Sequence, residues 1–438
     1  MGRKEARKAL AFEKNPFKEC KRIQEKYIPS LMELFSQTKD PRNPSYITYS
    51  NTTMLSQVYY KGIAGIVSMQ GMTQAFNTTV AGKNIYCSIG EEVKEYLPHH
   101  VTENEYLERL DPGEIRDVLY KIAFEQIRRK TFDGAKFNKE WIVIVDGTHG
   151  YSGSRKINEA CLERHHKKGT DEETVNYHND ILEAKIYFGN NLVLSLWSEF
   201  IENEDGWETL SEEKCKQDCE SKAFKRLAEN LKKLFPRLPM VLLMDSLYAS
   251  EPVMEICEKN GWDYIIRYKT GSIPSIAEEY EAIPEKTRAG HAEFVNEIDY
   301  NGRKVNMLRF HEIQVKNGEE VRTDFQWLTS ITITEKNAEK MAATGRLRWK
   351  IENQGFNRQK NWNGDITHAC SWNINALKNH YLLQQISDFV RQLYEWFYLG
   401  KNGIAKTFKK ISSDLLYALT KQQLESEDIH TTEGRAFC

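Results

Sequence analysis

The sequence predicts an α/β protein. Its core is a mixed sheet interrupted by a β-rich insertion, and helical regions flank it at both ends. Three observations carry that prediction. The runs WIVIV (141–145) and MVLLM (240–244) are apolar without alternation, as in strands buried on both faces. Between and after them, strand-like and helix-like patterns follow in the order strand, strand, strand, helix, strand, helix, strand. Helical spacing dominates the first 135 residues and returns after about 373.

The bulk properties fit a globular chain of several domains. It has 438 residues, 40% hydrophobic and 28% charged, with a net charge of -2. So small a net charge advertises no global field for a polyanion, and any nucleic-acid contact must come from local patches. No apolar run approaches the ~20 residues of a membrane span. The opening MGRKEARKALAFEKN carries no apolar core of the secretory type. The eight cysteines form no CxxC pair, which fits a reducing cytoplasm. A zinc site using Cys215 and Cys219 with His165, His166 and His178 lacks the second close pair that closed sites use.

In chain order, residues 1–135 read as a mostly helical N-terminal region, a binding module or equally a scaffold. Residues 1–22 are rich in Lys and Arg, as a phosphate-binding arm or a solvated terminus would be. PGEIRDVLYKIAFEQIRR reads as a helix with Asp111 as N-cap and Pro112 at its first position. The strands WIVIV, 181–189 and 192–201 then form an antiparallel meander, turning at Gly189-Asn190-Asn191. A helix over about 211–234 leads to MVLLM, a helix closed by Gly261 leads to WDYIIRY, and these later strands should run parallel. This first part of the core spans 136–269. Alternating, turn-punctuated segments over 270–333 read as the insertion, with Asn301-Gly302 and Asn317-Gly318 as turns. The core resumes over 334–385 with a helix from near Glu335 to Lys360, and a helical tail occupies 386–438.

The chemistry lies at the strand ends. WIVIV runs into Asp146 and MVLLM into Asp245. If these strands are parallel neighbours, both carboxylates sit at the carboxyl edge of the sheet, where open α/β sheets bind ligands. Two bare carboxylates there repel each other, and a hard divalent cation removes that cost. A pair of such ions about 4 Å apart can hold the attacking and leaving oxygens of a phosphodiester. A third acid is then needed, and Glu352 supplies it from a stretch that also carries Arg346, Arg348, Lys350, Arg358 and Lys360. Each acid also has a plain reading: Arg348 and Glu352 can pair as helix neighbours, and an Asp at a strand end can cap a turn.

Taken together, Asp146 in VDGTH, Asp245 in MDSLYAS and Glu352 in RLRWKIENQGFNRQK resemble the catalytic triad of DDE transposases. The closest resemblance is to the bacterial insertion-sequence type of the IS-four-like superfamily, with an RNase H-like core and a β-strand insertion before the Glu helix. The resemblance covers about 140–385. It implies a metal-dependent endonuclease and strand transferase using two Mg²⁺ ions, with Mn²⁺ as a substitute. The enzyme would hydrolyse the strand at the transposon end, and the freed 3′-hydroxyl would attack target DNA. The implied partner is double-stranded DNA, both transposon ends and target, bound by a homodimer in the cytoplasm at the nucleoid, with no membrane.

The family's Glu helix shows a Tyr, an Arg three on, the Glu four further and a Lys seven further. Arg348 and Glu352 keep that spacing, but Gly345 stands at the Tyr position and Gln359 at the Lys position, with Lys360 one later. At 100° per residue, 359 returns to within about 20° of the Glu352 face and 360 lies about 80° off. Arg348, Lys350 and Lys360 are the expected phosphate contacts. In such relatives an aromatic of the insertion stacks on a flipped base. Trp327 is the candidate here, its alternative role being a core residue. His149 could contact the scissile phosphate or move a proton, or serve as a hydrogen-bonded structural residue. Two rival functions remain. One is an RNase H-fold nuclease, which needs neither the insertion nor both helical flanks. The other is a domesticated, catalytically inactive DNA-binding protein, against which the three intact acids argue.

Overall fold

The computed structural model describes residues 15–203, 217–316 and 319–424. Most of the basic arm, the start of the helix expected from 211, Cys215 and the Asn317-Gly318 turn lie outside these residues.

Among the described residues, seven α-helices precede the first strand: α1 (Pro16–Tyr27), α2 (Leu31–Gln37), α3 (Asn51–Ile63), α4 (Met69–Phe76), α5 (Thr79–Ile89), α6 (His100–Arg109) and α7 (Pro112–Arg128). Their starts follow the expected capping chemistry. Asp111 accepts from the Gly113 amide ahead of α7, and Ser50 accepts from Thr53 ahead of α3. The sheet then begins with β1 (Trp141–Gly153), β2 (Leu162–His166), β3 (Thr174–Tyr187) and β4 (Val193–Ile201). There follow α8 (Glu220–Leu234), β5 (Met240–Met244), α9 (Glu251–Asn260), β6 (Asp263–Arg267) and α10 (Pro274–Ala282). The insertion contributes β7 (Thr287–Ala289), β8 (Ala292–Tyr300), β9 (Arg303–Lys316) and β10 (Glu319–Thr329). After it come α11 (Ala338–Arg346), a π-helical stretch (Ile351–Phe356), α12 (Asn357–Asn361), α13 (Ile374–Tyr394), which runs on into a second π-helical turn (Glu395–Gly400), and α14 (Phe408–Lys421).

All ten described strands join one sheet in the order β2-β3-β1-β5-β6-β10-β9-β8-β7, with β4 on the free edge of β3. β1 is antiparallel to β3 and parallel to β5, and β5 is parallel to β6. That antiparallel meander followed by parallel strands is the RNase H-like arrangement expected. The insertion is not a separate layer. β10 pairs antiparallel with β6, Leu328 opposite Ile266, so the insertion continues the main sheet.

The apolar runs explain the layering. Even-numbered Ile142 and Ile144 join Val241, Leu243 and Ile265 in a core that also holds Met341, Ile351 and Phe356. Odd-numbered Trp141, Val143 and Val145 join Met240, Leu242 and Met244 in the larger core under α8, α9 and the helical bundle. Side-chain alternation along a strand makes two faces of one run, which is why the run shows no polar residue.

Three departures from expectation have physical causes. β1 and β3 run well beyond their apolar segments, and β2 was missed, because LERHH is polar and pairs in a ribbon that leaves the sheet. The helix expected from 335 to 360 is broken into α11, the π-helical stretch and α12. The boundary expected at 385/386 falls inside α13. That helix is buried almost throughout and packs on α1, α3, α6, α7 and β4. Both chain ends therefore form one bundle around it. Its polar residues are buried because each has a partner: Asn379 donates to the Leu107 and Leu110 carbonyls, and Gln392 bonds both the amide and the carbonyl of Val193. No helix among the described residues is long and apolar enough to cross a membrane.

Asp388 of α13 gathers the segment that follows the π-helical stretch. It pairs with Arg358 Nε at 2.9 Å and accepts from Gln359, Asn363 and Gln392. Arg358 is also held by Glu395 through two bonds of 2.8 Å. Breaking a buried pair from one side strands the other charge, so Asp388→Ala should cost about 3–5 kcal/mol in urea unfolding. An unchanged midpoint would remove this network from the account of the fold.

Candidate catalytic carboxylate site

The sheet brings the two expected aspartates together. Ile144 pairs with Leu243, so Asp146 and Asp245 come level on neighbouring parallel strands two residues further on. Both take the even-side face of β1, the face covered by the π-helical stretch that carries Glu352. Asp146 accepts from the Gly147 amide at 3.1 Å and from Arg348 Nη1 at 2.8 Å. Asp245 caps the short turn Ser246–Tyr248, accepting from the Leu247 amide at 2.8 Å.

The electrostatics record how close the acids lie. Burial lifts the Asp146 carboxyl to about 6; Arg348 opposes the shift, and Asp245, Glu352 and Glu220 add to it. Glu183 stands opposite Asp146 on the same face of β3, but its carboxylate accepts from Ser195 and Ser198 and is enclosed. Glu183 therefore belongs to the core and not to this site.

Glu220 is the acid that sequence reasoning missed. It opens α8, accepts from the Tyr248 hydroxyl at 3.1 Å, and lies so close to Gly147 that a Cβ there would overlap its carboxylate. Burial raises its pKa, Tyr248 opposes this, and Asp245 and Asp180 add to the rise. The one signal available was the glycine after Asp146, a residue type that permits such close approach.

His149 donates or accepts through Nδ1 with Asp180 at 2.6 Å, and His178 Nε2 lies 3.3 Å from the other Asp180 oxygen. The Asp180 bond holds the His149 pKa above its usual value, against burial and the nearby charges of Lys360 and Arg164. Burial opposes the ionisation of Asp180, but its two imidazole partners outweigh that and hold its carboxyl low.

The basic residues divide. Arg348 is at the site, tied to Asp146 rather than free for phosphate. Lys360 is near enough to His149 for its charge to act there, and the π-helical stretch bears on its direction. An i→i+5 turn holds about one extra residue, which sets the helix back by about 100° and returns position 360 to within about 20° of the Glu352 face. Gln359 is thereby turned inward, where it donates to Gln385 and Asp388. Lys350 is not brought to the carboxylates. It bonds Asn191 in the β3–β4 turn, at the opposite end of β1.

Trp327 corrects the expectation of a base-stacking residue. It is 2% exposed, stacked on Phe325 and pressed against Gly345 of α11. A ring so enclosed offers no face to a base. Trp349, next to Arg348 in sequence, is 57% exposed.

Among the described residues, no three His, Cys, Asp or Glu side chains converge on one point at ligand distance. The donor set nevertheless fits a hard divalent cation. It is all oxygen, and Asp245 and Glu352 oppose the ionisation of Asp146, which Arg348 favours.

Residues 215–383 match the family model described as the transposase DDE domain. That span holds Asp245 and Glu352 and begins after Asp146. No curated protein matches the chain in sequence. Among solved structures, the chain is similar to the piggyBac transposase in a cryo-EM structure of its synaptic complex with hairpin DNA. The identity is 11% and the TM-score 0.43, over 92% of this chain and 79% of that one.

The raised pKa of Asp146, due first to burial and then to its acidic neighbours, has a thermodynamic consequence. The folded Asp146 pKa of about 6 lies above its ordinary value of 3.8. The folded state thus binds more protons between those values, and stability falls as pH rises from about 4 to 6. With chelator present, Asp146→Asn should be more stable than wild type at pH 7 by about 1–3 kcal/mol. The gain should fade as pH drops towards 4. Thermal melts across that range test it, and a variant that is less stable at pH 7 would refute the cost of the Asp146 charge.

Proposed function

We propose that this chain is a DNA transposase. It hydrolyses phosphodiesters at the ends of a mobile element and joins the freed 3′-hydroxyl to target DNA. The observation that carries the reading is the levelling of Asp146 and Asp245 on adjacent strand tips beneath Glu352, close enough that both neighbours oppose the ionisation of Asp146. The likeness of residues 215–383 to the transposase DDE domain supports it.

In this reading Asp146, Asp245 and Glu352 hold two divalent cations, Mg²⁺ or Mn²⁺. When bound, these supply Lewis acidity and an activated water or hydroxyl. The chain's own residues do the rest. The rigid strands fix the position of two acids, which suits ligands that must hold place. Arg348, once it leaves Asp146, is within reach of the scissile phosphate, where its planar donors suit paired contacts to phosphate oxygens. Lys360 and His149 contact phosphates beside it. Trp349 offers the stacking face that Trp327 lacks. The active form is a homodimer that holds two DNA ends.

The test is cleavage of labelled DNA carrying the element's own ends, with Mg²⁺ or Mn²⁺, by wild type and by Asp146→Ala, Asp245→Ala and Glu352→Ala. Metal-dependent nicking should vanish in all three variants while DNA binding persists. Wild type that binds the ends and never cuts would make the chain an inactive DNA binder. A variant that cuts normally would remove its carboxylate from the site.

A further inference from the structure

Arg346, Arg348 and Arg267 lie over the carboxylate face of the sheet, and the first two are neutralised there. Arg346 bonds Glu312 at 2.6 Å, and Arg348 bonds Asp146 at 2.8 Å. Arg267 differs. It ends β6, is half-buried, and donates to the backbone carbonyls of Gln326 and Asp324, both at 3.3 Å. Among the described residues it makes no ion pair. A guanidinium carries five N–H donors, so others remain for a further acceptor. Burial opposes its charge, and so does nearby Arg348. The acids beyond it on β9 and β10 have other partners: Glu312 holds Arg346, and Asp324 holds His311 and Arg322.

Strand register fixes where this charge stands. Met244 pairs with Ile266, so Arg267 comes level with Asp245 on the next parallel strand, as Asp245 does with Asp146. Ile144, Leu243 and Ile265 share one core, and two residues on from them come Asp146, Asp245 and Arg267, which alternation puts on that same face. Neighbouring strands lie about 4.8 Å apart, so the backbone of Arg267 is about 5 Å from that of Asp245 and about 10 Å from that of Asp146. Across the β6–β10 pair Arg267 faces Trp327. Its guanidinium lies 4.8 Å from the Phe325 ring and 5.5 Å from the Trp327 ring, and these two rings stack on each other. A planar cation is thus held against aromatic rings at the carboxylate edge.

We infer that Arg267 is a substrate-binding residue that holds a phosphate of the cut strand beside the scissile one. The inference rests on the DNA-cutting reading above. In that reading Asp245 is committed to metal, and it already accepts from the Leu247 amide, so it is not the counter-charge that Arg267 lacks. A phosphate supplies that charge, and its oxygens suit the paired donors of a guanidinium. Arg348 is the residue placed at the scissile phosphate. Arg267 stands on the far side of Asp245 from Asp146, where the next phosphate along the strand would lie. A purely structural tie between β6 and β10 needs no charge, because the strand ladder already joins them.

The test is a methylphosphonate scan. In labelled duplex carrying the element's own ends, each phosphate flanking the cut is replaced in turn by an uncharged methylphosphonate. Nicking with Mg²⁺ or Mn²⁺ is then timed under single turnover. Wild type should slow roughly 10- to 100-fold at one flanking phosphate, the loss of a hydrogen-bonded charge contact. Arg267→Ala should slow by a similar factor on unmodified DNA, and the methylphosphonate at that phosphate should slow it no further, because the two changes remove the same contact. Arg267→Lys keeps the charge without the planar fork and should fall between the two. Melting temperature checks folding, and if Arg267→Ala melts early the same comparison is read from Arg267→Lys, whose penalty at that phosphate should shrink. Losses that simply multiply in a folded variant, as a structural role would give, overturn the assignment of Arg267 alone. So does an Arg267→Ala that nicks at the wild-type rate. Wild type that never nicks overturns the assignment and the transposase reading together.

Discussion

The buried carboxylate of Asp388 anchors the segment that follows Glu352 over the carboxylate edge of the sheet. Charges in a low-dielectric interior persist only when paired and hydrogen-bonded. Asp388 meets that condition through Arg358, Gln359, Asn363 and Gln392. Burial opposes the charge of Arg358, and Glu395 and Asp388 together keep it protonated. Three of those partners lie within eleven residues of Glu352. The same network therefore fixes the rotation of the π-helical stretch, the inward turn of Gln359 and the outward turn of Lys360. A site whose third acid comes from a helix needs such an anchor, because a helix can slide or rotate where a strand in mid-sheet cannot.

The carboxylates themselves sit in a tension that the fold imposes. Two of them arrive on strands whose apolar flanks bury them partly, and Glu220 is drawn in from below by Tyr248. Arg348 offsets this at Asp146, and the Tyr248 hydroxyl offsets it at Glu220. Ordinary folding logic would replace at least one of these acids with a neutral residue. That none is replaced is the kind of local rule-breaking expected where chemistry rather than stability decides the residue.

Much of this was legible in the sequence because the relevant signals are local. Unalternating apolar runs announced β1 and β5, and the parallel pairing followed from the intervening helix. Asp146, Asp245 and Glu352 then followed from strand order and a known motif. What was hidden depends on tertiary context. The π-helical stretch has no periodicity signature, so a regular wheel does not describe the turn from Glu352 to Lys360. Trp327 lies on an alternating strand, and only the approach of Gly345 decides that its ring is enclosed. The outer ribbon carries polar residues on both faces and so mimics a loop. Glu220 and Asp180 are far from the triad in sequence, and no spacing rule links them to it.

The position of α13 has a consequence in time. Helices α1, α3, α6 and α7 bury their apolar faces against it, yet about 310 residues separate the end of α3 from its first turn. At synthesis rates of about 5–20 residues per second, that is a delay of roughly 15–60 s. During it α3 has only its nearer neighbours to pack against, such as Phe35 beside Tyr59. The nascent chain thus passes through a period in which α3 is only partly covered, until α13 is made.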